Sequence, residues 1–166
     1  MKLNEAILLM VKHIRNAFEF SIERGSFVIN DGKLSLSEKY VAGEWIAILG
    51  SALNDGIYKI SSVGSTYSLA NGSDNENPVT DEEFTGAVWR LRLPKSLVSL
   101  CADIQKWTDS PEGKPSNVVS ESVVSFYSKT LATTKDGAPI GWESVFKSRI
   151  HGNWRKMWET ELVRSL

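Results

Sequence analysis

The chain is poor in the residues that usually announce chemistry. It holds one cysteine, Cys101, among 166 residues, which excludes an internal disulfide framework. Its only histidines, His13 and His151, are far apart, and no His/Cys cluster has the spacing of metal ligands. No apolar run approaches the roughly 20 residues of a membrane span. The run Ile7-Leu-Leu-Met-Val11 is short and flanked by charge, unlike a signal peptide, so a soluble intracellular product is expected. A net charge of −1 advertises no general affinity for nucleic acid or anionic membranes.

Catalytic motifs are missing as well. The stretch Ile48-Leu-Gly-Ser-Ala-Leu-Asn-Asp-Gly56 lacks the Gly-Lys-Ser/Thr of a phosphate loop and reads as a turn between strands. Serine, histidine and aspartate occur without a nucleophile-elbow sequence. The acidic residues Asp74, Glu76, Asp81, Glu82 and Glu83 do not have EF-hand spacing, and residues 71–83 read as an exposed loop facing outward or toward another protein. Cys101 sits on an apolar helical stripe, as a small core residue does. The expectation is a protein that is not an enzyme and uses no cofactor and no metal.

What the chain does have is apolar surface. In residues 141–158, Trp142, Val145, Phe146, Ile150, Trp154, Met157 and Trp158 recur at helical spacing, in phase across Gly152, and predict one long helix. Aromatic side chains bury about 150–250 Å² each. Trp142, Phe146, Ile150, Trp154 and Trp158 therefore need covering, by the chain's own helices or by neighbouring subunits. Lys147, Arg149, His151, Arg155 and Lys156 flank this stripe on more than one side and read as solvated edges, not as a single donor face for bases.

The N-terminal segment predicts a helix from Asn4, with Ile7, Leu8, Val11, Ile14, Phe18 and Ile22 on one stripe and Gly25 as terminator. From Ser26 the period falls to two. Asn30-Asp31-Gly32 reads as a hairpin turn, and further strands are expected over 44–49, 57–60, 66–69 and 84–93. Pro94 opens a second helix with Leu97, Leu100, Cys101 and Ile104 on its buried face. Residues 109–119 read as a flexible loop, and 118–128, rich in serine and valine, as extended. The fold class expected is α+β: a small helical core of three main helices (1–25 plus 94–166) with an inserted small β-barrel or sandwich module (26–93).

The order of four motifs resembles the head–tail connector (adaptor) proteins of tailed bacteriophages and prophages. They are Leu53-Asn-Asp-Gly-Ile-Tyr-Lys59, Phe84-Thr-Gly-Ala-Val-Trp89 running into Leu93-Pro94, Ser120-Glu-Ser122 with Tyr127-Ser128, and Trp142-Glu-Ser-Val-Phe-Lys-Ser-Arg149 before Trp154-Arg-Lys-Met157. Family members often carry small or glycine residues after the Ser-Glu-Ser element, where this chain has Val123-Val124. The resemblance implies a structural protein of the virion neck, assembled in the bacterial host cytoplasm. It also implies a homo-oligomeric ring of about a dozen copies beneath the portal protein, docking a tail-completion protein and passing double-stranded DNA without reading its sequence. On that view the loop Pro111, Glu112, Gly113, Lys114, Pro115 is a candidate for the lumen or a neighbouring subunit. Two other readings stay open. One is a stopper or tail terminator, which tend to be mostly β; the other is a monomeric ligand-binding module using Trp45, Tyr58, Tyr67 and Trp89.

Overall fold

In a computed structural model, residues 1–70, 78–110, 120–123, 127–130, 141–157 and 160–166 are described, with backbone alone for 120–123 and 127–130. Helix α1 (Leu3–Ile14) is followed by strands β1 (Glu19–Asn30), β2 (Lys33–Leu34), β3 (Trp45–Leu49), β4 (Gly56–Val63), β5 (Tyr67–Ala70) and β6 (Glu82–Leu91). Helix α2 (Lys95–Asp109), the paired strands β7 (Ser120–Val123) and β8 (Tyr127–Thr130), and short helices α3 (Trp142–Val145) and α4 (Glu161–Ser165) complete the order. Two 3₁₀ turns, Lys147–Arg149 and Gly152–Trp154, lie between α3 and α4.

Strands β1 to β6 close into an antiparallel barrel in the order β1-β2-β5-β4-β3-β6, with β6 pairing back onto β1. The expectation of a helical core built on three main helices is thereby corrected. Among the described residues four α-helices occur, only two of them seven residues or longer, and the six strands form a closed barrel.

Two apolar clusters follow from the strand period. Phe27, Ile29, Leu34, Ile46, Ile48, Ile60, Leu69, Phe84 and Val88 fill the barrel, with the Phe27 and Phe84 rings 5.3 Å apart. The opposite faces of β3 and β4 present Trp45, Ala47, Leu49 and Ile57 to α1 and α2, where they join Ile7, Met10, Val11, Ile14, Leu97, Leu100 and Ile104. Strand β3 is therefore buried on both faces, and its five residues read as a continuous apolar run instead of alternating.

Helix α1 ends earlier than its apolar phase suggests. Arg15 adopts the left-handed conformation (φ 57°), its N–H bonds the Lys12 carbonyl, and the Asn16 N–H bonds that of Val11. This is a Schellman closure without glycine. Asn16, buried, then accepts from the Phe18 N–H through its side chain at 3.0 Å and turns the chain into β1. Phe18 and Ile22, which kept helical phase in the sequence, belong to that turn and strand. The long helix expected over 141–158 is likewise replaced by α3 and the two 3₁₀ turns, an irregular strap laid along α1.

Candidate interaction surface

The strap is built from the aromatic residues that the sequence singled out. Trp154 and Phe146 are buried in the cluster shared with α1 and α2, while Trp142 and Ile150 pack against its margin. Phe146 meets Trp107 edge-on at 6.3 Å, Trp142 meets His13 at 5.4 Å, and Trp154 meets His151 at 4.5 Å. The backbone is pinned at the same points. Asn16 Nδ2 donates to the Trp154 carbonyl at 2.9 Å, and the Lys156 N–H donates to the Ile14 carbonyl, which the helix end leaves open, at 3.0 Å. These four residues thus sit against the chain's own helices; Trp158 lies outside the described residues, as do Pro111, Glu112, Gly113, Lys114 and Pro115.

Three basic residues of the strap are engaged within the chain. Arg149 pairs with Asp103 at 2.7 Å, Lys156 with Glu19 at 3.2 Å, and an Arg155 nitrogen lies 2.9 Å from His13 Nε2. An always-protonated guanidinium donates in that last contact, so His13 Nε2 accepts. Glu19 also accepts a hydrogen bond from the Thr160 hydroxyl. Burial pushes the Glu19 carboxyl up, but the hydrogen bonds from Thr160, its own backbone and Lys156 outweigh it and hold it below its ordinary value.

Cys101 is buried, and burial pushes its thiol up to about 12, far from a thiolate at neutral pH. His13 and His151 serve different parts of the strap, and neither adjoins Cys101 in a nucleophile–base pair. Among the described residues no group of three His, Cys, Asp or Glu could hold a metal ion.

Three of the four aromatic residues of the ligand-binding reading lie in the cores. Trp45, Tyr58 and Tyr67 are buried, and Trp89 packs against the helical cluster. The Arg90 guanidinium stacks on Tyr40 at 4.1 Å and donates to the Lys39 carbonyl, while the Tyr67 hydroxyl donates to the Glu38 carbonyl at 3.1 Å.

Glu82 lies in an acidic stretch of the sequence, yet it is a structural hub. From the first position of β6 its carboxylate accepts from the Ser51 hydroxyl, the Ala52 N–H at 2.8 Å, the Leu53 N–H at 3.3 Å and Asn54 Nδ2 at 2.8 Å. The Ser51 hydroxyl does most to hold this carboxyl below its ordinary value; the three nitrogen donors add to it against an opposing effect of burial. Asn54, itself buried, also exchanges two hydrogen bonds with the Thr80 backbone. Asp81 accepts from the Gly32 N–H at 3.0 Å. The exposed loop expected over 71–83 is thus corrected for Glu82, half-buried in β6, while Asp81 is exposed and residues 71–77 lie outside the described ones. Nothing local in the sequence signals these bonds, because each joins positions distant along the chain.

Strands β7 and β8 form a two-stranded antiparallel sheet separate from the barrel, in the register Ser120↔Thr130, Glu121↔Lys129, Ser122↔Ser128 and Val123↔Tyr127. The extended conformation expected there is what its described residues adopt. No helix among the described residues is long and apolar enough to cross a membrane. No protein-family model, curated protein or solved structure matches the chain.

Proposed function

We propose that this chain is a structural head–tail connector of a tailed bacteriophage or prophage: a ring beneath the portal that lengthens the DNA channel and seats the next tail-completion protein. The observation that carries the reading is the β7–β8 hairpin. The body already has two filled cores of its own, whereas a two-stranded sheet standing alone is marginal in water. A neighbouring subunit supplies what such a hairpin lacks. The motifs behind the resemblance support the same reading by where they fall. Leu53 to Lys59 spans the Glu82-anchored turn and the start of β4, and Phe84 to Trp89 lies in β6. The Ser-Glu-Ser and Tyr-Ser elements are the two paired strands. A net charge of −1 suits a conduit, since a strongly basic lumen would grip the passing DNA.

The closed barrel favours a second reading, a stopper or tail terminator. Electron microscopy of the chain mixed with purified portal-bearing heads separates the two. A connector adds directly to bare portals as a ring; a stopper or terminator adds only to heads that already carry other neck proteins. A chain that adds to neither contradicts both.

A further inference from the structure

Within the closed barrel, one strand keeps a partly unpaired edge. Strand β1 pairs with β6 from Glu19 to Ile29, but β2 pairs only with its last two residues, Ile29 and Asn30. The turn fixes which backbone groups face which side. Asp31 (φ 50°) and Gly32 (φ 65°) make a two-residue turn, so Asn30 and Lys33 exchange hydrogen bonds across it. The Ser35 N–H continues the series onto the Val28 carbonyl at 3.0 Å. Even-numbered residues of β1 therefore aim N–H and C=O away from β6, and Ile22, Arg24 and Ser26 have no backbone partner on that side among the described residues. Ser37 and Glu38 run close by, yet their N–H groups bond the Glu23 carboxylate, not the strand's backbone. The five-residue run from Ile22 to Ser26 spans about 13 Å at roughly 3.3 Å per residue, enough to take a four-residue strand.

The same chain carries a second pair of short strands. β7 and β8 are four residues each and, among the described residues, pair only with one another. Resting on the connector reading, we infer that the hairpin of one copy adds as a strand pair to the β1 edge of the next. Main-chain hydrogen bonds supply such strand addition. Because the donor hairpin and the acceptor edge are different patches, the contact is heterologous and repeats around a ring. It also shields an edge that would otherwise invite uncontrolled pairing.

Disulfide trapping tests this on the full chain. Ser26→Cys is mixed under oxidation with a second population carrying Ser122→Cys or Ser128→Cys, and buried Cys101 is left in place. A dimer-sized product is expected from these mixtures and not when Ser65→Cys on the β4–β5 turn replaces Ser26→Cys. Arg24→Pro, which deletes an N–H that β6 does not use, should keep the unfolding midpoint near that of the parent and leave the chain monomeric where the parent assembles; if that variant does not fold, the trapping result alone decides. Rings that form without either cross-link overturn the strand addition and leave the connector reading standing. Cross-linking within a doubly substituted chain at high dilution shows the hairpin folded onto its own barrel, which also overturns it. A parent chain that never assembles, alone or on portals, removes the connector reading and this inference with it.

Discussion

Gly86 shows how much one residue decides here. It lies on β6 beside the end of β3, and a Cβ placed on it would fall on the Leu49 carbonyl oxygen. Gly50, at φ +86°, completes the close approach from the other side. Backbone cannot retreat as a side-chain end can, so Gly86→Ala should destabilise by roughly 1–3 kcal/mol or more, measured by chemical denaturation. A variant as stable as the parent would mean that the two strands do not cross so closely. Cys101 makes the opposite point. It was legible from its stripe as a core residue, and it is one, because an apolar helical face leaves a thiol no polarising neighbour. Glu82 was not legible, because a carboxylate in an acidic stretch looks solvated until the turn that donates to it is brought alongside by folding.

At the scale of elements, the strands over 26–93 and helix α2 were readable because period-two alternation, the Asn30-Asp31-Gly32 turn and Pro94 are local signals. Closure of the barrel was not, since the pairing of β1 with β6 depends on register between distant segments. The strap misled for a related reason. Its aromatics recur at helical spacing, but the C-terminal end of α1 competes for the backbone: Asn16 donates to the Trp154 carbonyl and the Ile14 carbonyl accepts from the Lys156 N–H. Docking, not helical propagation, brings those rings to the core. Trp154→Ala should then cost about 3–5 kcal/mol, while Met157→Ala, at a residue 81% exposed, should stay within about 0.5 kcal/mol. Equal effects on the unfolding midpoint would mean that the strap is not seated on α1.

For the whole molecule, two carboxylates tie distant parts together. Glu19 joins β1 to the strap and Glu82 joins β6 to the β3–β4 turn, and both titrate below the ordinary value of 4.5 when folded. Their protons bind first to the unfolded chain, near that value, and to the folded chain only at lower pH. Their contribution to stability is therefore full above that value and is lost as pH falls through the folded-state values. Thermal midpoints should fall on acidification from about pH 5 downward, and the double variant Glu19→Gln/Glu82→Gln should show a flatter acid limb; an unchanged slope would contradict the assignment.

The central claim is that the body is complete in itself and that the β7–β8 hairpin holds copies to one another. Sedimentation velocity of the full chain beside a chain lacking residues 120–130 tests it most directly. The account predicts a multi-copy species for the full chain and a folded monomer, with an unaltered cooperative unfolding transition, for the deletion. Two monomers at every concentration, or two assemblies of equal size, would contradict it.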